Sequence, residues 1–211
     1  MTYTDRELMV IAAAREIGDG ELIFVGMRLP LLAFALAKRT HAPRALGLFE
    51  NGIVRESPAP ETPFTMSDPP NIAGALWSTT TGNIMALLQQ GLVDMGFIGG
   101  AEVDRYGNLN TSYIGDWKRP KVKLPGSGGG GDIASLARRF VIIMPQEKHR
   151  FRERVDYITS PGHGDGRDWR RKVGLYGGGP SALITTLAVF RFHRDTKEAY
   201  LASFHPGQSV E

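Results

Sequence analysis

Helical and strand periodicities alternate over the first fifty residues, and that alternation narrows the available folds more than any other feature of the chain. Thr4 and Glu7 form a capping box ahead of the apolar run Leu8 to Ile17, which Gly18 and Gly20 stop. Glu21 to Val25 then reads as a short buried strand. Gly26 to Pro30 turn the chain into a second helical stretch, Leu31 to Lys38, and Pro43 ends that connection before the apolar run Ala45 to Phe49. Helix, strand, helix, strand at this spacing implies crossover connections and a largely parallel sheet. Ligands of such open α/β sheets collect in the crevice beyond the carboxyl ends of the strands.

Glu50 stands at that end. It closes the run Ala45 to Phe49 and is followed by Asn51-Gly52, a dipeptide that forces a tight turn. A carboxylate lifted out of a sheet by a turn is a candidate nucleophile or base. Local pattern alone favours the plainer reading, an acid that caps an exposed turn.

Further along, Arg55 to Pro70 reads as a long irregular loop facing the candidate site. Thr81 to Gln90 is helical with Gly91 as its stop, and the strand Val93 to Ile98 leads into Gly99-Gly100-Ala101. Asp132 to Arg138 suits a helix, Arg139 to Met144 a strand closed by Pro145, and Val155 to Ile158 another short strand. Ala182 to Phe192 and Tyr200 to His205, separated by the charged turn His193 to Lys197, suit an antiparallel pair appended to the parallel core. The Gly- and Arg-rich segment Gly162 to Pro180 is expected to be a mobile loop.

With 211 residues, 42% hydrophobic and 22% charged, the chain suits a single domain over 1–211. No stretch approaches the roughly 18 consecutive apolar residues needed to span a bilayer, and the N-terminus lacks a basic region followed by an apolar one, so a cytoplasmic protein is expected. Zero cysteines exclude disulfides, zinc-thiolate sites and a cysteine nucleophile. The five histidines show no ligand spacing, so no metal is expected. Net charge is only +3, yet basic residues bunch at 118–123, 148–154 and 167–172, which suits a phosphorylated ligand; no recognition-helix pattern accompanies them, and no nucleic-acid partner is expected. The string Gly126 to Gly131 formally contains Gly-x-Gly-x-x-Gly. It follows a poor strand and lacks a ribose-binding acid, which argues against a dinucleotide site. Two readings stay open for it: a flexible surface loop, or a loop whose backbone N–H groups approach a ligand and stabilise an oxyanion. Val103 to Asn108 reads as a hairpin-like turn with local bonds from Asp104 and Asn108.

Taken in order, Leu29-Pro30, Phe49-Glu50-Asn51-Gly52, Phe97 to Ala101, Val103-Asp104 with Tyr106-Gly107-Asn108, Ile114 to Asp116, Gly126 to Gly129, Glu147-Lys148 with Arg150-Phe151, and Asp156-Tyr157 with Thr159 to Gly162 resemble the β subunit of the class I coenzyme A transferases, most closely the glutaconate CoA-transferase branch. The resemblance implies an open, largely parallel α/β sheet flanked by helices, with the antiparallel pair appended near the C-terminus, and an α-subunit partner in a hetero-oligomer. It implies an enzyme that takes a coenzyme A thioester as substrate, with no tightly bound cofactor, and moves CoA between short acyl or dicarboxylic acids by a ping-pong route. Glu50 matches the family's nucleophile, which forms a glutamyl-CoA thioester, and Gly129 matches the position whose backbone amide stabilises the oxyanion. Asn51, Gly52, Gly99, Gly100, Ala101, Ser127, Gly128, Lys148 and Arg150 match positions around substrate and CoA. The alternatives are a CoA-thioester hydrolase or ring-opening enzyme with Glu50 as general base, and a non-catalytic ligand-sensing domain. Asn51-Gly52 is the form common in oxoacid-transferring branches, whereas the glutaconate branch often carries Ser-Gly; the acyl group stays open.

Overall fold

The computed structural model describes residues 3–209. Its principal sheet has nine strands in the order Ala199–Phe204, Ala188–Phe192, Pro180–Ile184, Arg139–Ile143, Met95–Ile98, Leu22–Phe24, Leu46–Phe49, Ile53–Arg55 and Trp77–Ser78. The run from Pro180–Ile184 to Leu46–Phe49 is parallel throughout, as the alternating periodicities require. Antiparallel strands complete both edges. The helices Asp5–Arg15 and Leu29–Arg39 cover one face and contribute Met9, Ala13, Leu31, Phe34 and Ala37 to its core. Thr81–Gln89 and Gly130–Leu136 cover the other through Ile84, Leu88, Ile133 and Ala134.

The capping box forms as expected: Thr4 Oγ1 accepts from Glu7 N (3.3 Å) while Glu7 Oε2 accepts from Thr4 N (2.8 Å). Two strand glycines set how closely helices approach the sheet. A Cβ on Gly47 would lie 2.8 Å from Phe34 Cζ, and one on Gly96 would lie 2.2 Å from Ile133 Cγ2. Only a missing side chain at Gly96 lets the helix Gly130–Leu136 rest directly on the strand, which brings its first residues to the carboxyl end of the sheet.

Several expectations need correction. Arg55 does not open an irregular loop; it ends the strand Ile53–Arg55, which pairs with Leu46–Phe49. Arg55 is 2% exposed, and its guanidinium donates to the carbonyls of Ser57 (3.0 Å), Asn71 (2.7 Å) and Ala73 (2.8 Å), so the segment that follows is folded around a buried cation. The helix expected from Asp132 starts at Gly130, inside the glycine run. Val155 to Ile158 is not a strand. Asp156 instead accepts from Gly115 N (2.6 Å) and Tyr157 sets its ring edge-on to Tyr113, while Phe151–Arg152 pairs with Glu102–Asp104 in a small second sheet. Ala182 to Phe192 is two strands, not one, because Thr185 Oγ1 accepts from both Leu187 N and Ala188 N and turns the chain.

The segment Gly162 to Pro180 is pinned rather than loose, and Arg170 and His163 are its anchors. Arg170 donates to Gly177 O (2.8 Å), Pro161 O (3.1 Å), Gly162 O (2.9 Å) and Ala134 O (2.9 Å). His163, 4% exposed, binds Pro180 O through Nε2 (3.2 Å) and meets the Phe192 ring edge-on. Burial, reinforced by the Lys197 charge, lowers the His163 pKa to about 4, so the folded chain refuses a proton that the unfolded chain accepts near pH 6.5. The stabilisation from a neutral His163 is complete above pH 6.5 and is lost as pH falls towards 4, about 3 kcal/mol in all. Urea unfolding at pH 7 and pH 5 should therefore show the wild type losing about 2 kcal/mol more than His163→Gln between the two. Equal losses would contradict a buried neutral imidazole.

Candidate active site

Strand register assembles the crevice. Phe24 pairs with both Leu48 and Gly96, so two residues further on Gly26, Glu50 and Ile98 leave the sheet at one level. Glu50 is half-buried there. Its turn closes through Gly52 N donating to Phe49 O (3.0 Å). Gly52 has φ +104, and a Cβ on it would lie 2.2 Å from Thr79 O, whose own residue donates its N–H to Gly52 O (2.8 Å). Both the conformation and the space demand glycine. Asn51 fixes the other side of the turn, donating from Nδ2 to Met66 O (2.7 Å) and Ser67 Oγ (3.3 Å); its Oδ1 is buried and has no partner among the described residues. The segment held by Arg55 is thus also held to the turn that carries Glu50.

Across the crevice lies the glycine loop. A Cβ on Gly129 would lie 3.2 Å from Glu50 Oε2 and 3.3 Å from Met85 Cε. The carboxylate therefore lies directly against a backbone that has no side chain to shield it. Gly129 is buried, caps the helix Gly130–Leu136, and its N–H finds no protein acceptor among the described residues. Ser127 and Gly128 stand exposed in the preceding turn, with Gly128 at φ +47 and Gly130 N donating to Ser127 O (2.9 Å). Gly126 N donates to Thr111 O (2.8 Å), which ties the loop to the neighbouring strand connections.

Gly99, Gly100 and Ala101 follow the strand Met95–Ile98 at the same end of the sheet. A Cβ on Gly100 would lie 2.8 Å from Leu109 Cδ2, so this turn too is packed against its neighbours. Arg150 reaches it, with Nη1 3.5 Å from Gly100 O and Nε donating to Glu147 Oε2 (2.8 Å). Lys148 is exposed on the same short turn and has no partner among the described residues. Met85 and Thr79 went unmarked in the sequence, and Ile98 and Ser160 lay within matched stretches without a role of their own. Met85 shares the space over Gly129 with the carboxylate, Thr79 sets the Gly52 turn, and a Cβ on Gly130 would lie 3.2 Å from Ser160 Oγ and 3.5 Å from Ile98 Cγ2. Only Ile98, as the last apolar residue of a strand, carries any local signal of its place.

The hairpin-like turn forms as expected: Asp104 Oδ1 accepts from Tyr106 N (2.9 Å) and Asn108 N (3.1 Å). Burial raises the Asp104 pKa against these donors. Asn108 passes the order on, its Oδ1 accepting from Gly162 N (2.9 Å) and Gly164 N (3.0 Å). No cluster of metal-ligating side chains occurs among the described residues.

A half-buried carboxylate at a strand end, facing a side-chain-free loop with a spare amide, has the parts that acyl chemistry requires. Residues 6–211 match the family model described as Coenzyme A transferase. The chain belongs to the coenzyme A transferase family. This CoA-transferase chain is 40% identical to the β-type subunit of the 3-oxoadipate CoA-transferase of Pseudomonas knackmussii, over 99% of its own length and 80% of that protein. It is 37% identical to the β-type subunit of the glutaconate CoA-transferase of Acidaminococcus fermentans, over 99% and 80%. The crystal structure of that glutaconate CoA-transferase superposes with a TM-score of 0.92 over 99% of this chain and 82% of the other, at 33% identity. A decarboxylase, AibA/AibB, superposes with a TM-score of 0.82 at 27% identity over 99% and 81%. By this kinship the chain is the β-type subunit of a CoA-transferase. No helix among the described residues is long and apolar enough to cross a membrane.

Proposed function

We propose that this chain works with an α-subunit partner to move CoA between short dicarboxylic acids by a ping-pong route through Glu50. The Glu50 carboxylate attacks the thioester carbonyl of an acyl-CoA and expels the CoA thiolate, leaving a mixed anhydride. The thiolate then attacks the Glu50 carbonyl of that anhydride, releasing the first acid and leaving a glutamyl-CoA thioester. A second acid reverses both steps, through its own anhydride, and leaves as the new acyl-CoA with Glu50 restored. No water is consumed, and the thioester's reactivity is conserved as long as the crevice excludes water.

The contact between Glu50 and the bare backbone at Gly129 is the observation that carries this reading. A carboxylate is a weak nucleophile that gains from fixation and partial desolvation, and each step passes through a tetrahedral oxyanion that needs an N–H donor in place beforehand. Gly129, which lies against the carboxylate and whose N–H has no acceptor among the described residues, is the donor in this reading. The named relatives act on 3-oxoadipate and glutaconate, which supports dicarboxylic acids as the acyl class here.

Initial rates with the α partner present should give parallel double-reciprocal lines when donor and acceptor are varied, and this chain on its own should give no transfer. Intersecting lines, or CoA release at full rate without an acceptor acid, would instead indicate direct transfer or hydrolysis with Glu50 as base. A methyl group at Gly129 crowds Glu50 Oε2 at 3.2 Å. Gly129→Ala keeps its N–H but pushes on the carboxylate, and should therefore lower kcat by about 10² with little change in unfolding midpoint, the scale of a displacement of about 1 Å at the nucleophile.

A further inference from the structure

A cavity of about 400 Å³ opens at the opposite end of the sheet from Glu50. Its wall includes His163, Arg167, Arg170, Arg171, Tyr176 and Lys197. Gly178 N donates to Arg138 O and Phe140 N to Gly179 O, which puts the cavity at the amino end of the strand Arg139–Ile143. At about 3.3 Å per residue, a strand of this length separates the two sites by roughly 15 Å along the strand direction alone.

The charge balance of this cavity is one-sided. Arg167, Arg170, Arg171 and Lys197 face it with a single carboxylate, Asp168, which is already held by Lys172 (3.0 Å) and Arg171 (3.4 Å). Arg170 is 7% exposed and spends its donors on four carbonyl oxygens, so its hydrogen bonds are met while its charge is not. A buried cation without an anion is costly, and the cavity is where an anion would sit. Arg167 and Lys197 make no ion pair among the described residues, and both hold the left-handed backbone conformation, φ 49 and 66. Arg167 N donates to Thr196 O (3.1 Å) and Lys197 N to His193 O (2.9 Å), so the backbone segments that carry the two cations are held together. Neutral His163 adds a polar ring without adding charge. Tyr176, fully exposed on the glycine-rich rim, offers a ring face to whatever extends outward.

We propose that this cavity is a second ligand site, separate from the Glu50 crevice, that takes the phosphate group of a small phosphorylated molecule. The charges of Arg167, Arg171 and Lys197 around one cavity, beside the unneutralised Arg170, suit a phosphate dianion, and the volume leaves room for the group that bears it. The inference does not depend on the route of CoA transfer.

Calorimetric titration of the assembled enzyme with pyrophosphate tests it. Saturable binding is expected, weakening as salt is raised and falling at least about tenfold in the double variant Arg167→Gln, Lys197→Gln, whose unfolding midpoint stays at the wild-type value. Arg171→Gln, at a surface position, should weaken binding in the same direction. Displacement of pyrophosphate by ADP identifies a nucleotide as the bearer, and displacement by inorganic phosphate alone identifies the free anion; either result keeps the site. Absence of saturable binding to the wild type, or equal affinity in the wild type and both variants, would overturn it.

Discussion

Glu50→Gln is expected to lower CoA transfer by about 10⁴-fold or more, the scale on which loss of a covalent nucleophile acts, while the chain folds and assembles as before. The neutral amide keeps the volume and the hydrogen-bonding reach of the side chain, so packing against Gly129 is retained. What disappears is the oxygen nucleophile. Because both half-reactions run through the same carboxylate, exchange between acyl-CoA and free acid must fall together with overall transfer. A variant that kept exchange while losing overall transfer would show that Glu50 serves only one half of the cycle.

Gly52→Ala is expected to cost about 3 to 4 kcal/mol of stability and to cut activity in whatever remains folded. Two independent penalties combine here. The residue sits at φ +104, which an L side chain rarely adopts, and its new Cβ would lie 2.2 Å from a backbone oxygen, Thr79 O, that cannot rotate away. Relief requires the turn to move, and the turn carries Glu50. A displacement of about 1 Å at the nucleophile is enough to cost roughly 10²-fold in rate. Urea midpoints and kcat should therefore fall together for Gly52→Ala, whereas Gly129→Ala should separate them. Unchanged stability in Gly52→Ala would mean that the turn is looser than its contacts imply.

Much of this arrangement is legible in the order of residues alone. The capping box at Thr4 and Glu7, the alternation that yields a parallel sheet, and the Asn51-Gly52 turn are local signals, each set by residues within a few positions of one another. The place of Gly129 is not legible from local pattern. A glycine run reads the same whether it waves in solvent or lies against a carboxylate, and only the helix resting on Gly96 decides between them. Arg55 and Arg170 escape for the opposite reason: arginine is ordinarily a surface residue, and both are buried cations ringed by backbone carbonyls. The short strands Ile53–Arg55 and Trp77–Ser78 escape because two or three residues carry no usable period, so pairing with Leu46–Phe49 and with each other alone defines them. The strand expected at Val155 to Ile158 has the right residue types but pairs with no strand, its Asp156 and Tyr157 engaging Gly115 and Tyr113 instead.

Covalent attachment of CoA to Glu50 is the step on which the proposed route stands. The direct measurement is to incubate the assembled enzyme with acyl-CoA alone, reduce with borohydride, and map the peptides by mass spectrometry. The peptide carrying Glu50 should be recovered with that carboxyl reduced to an alcohol, and activity should be lost in proportion. Full retention of the Glu50 carboxyl in an active preparation would contradict the covalent route.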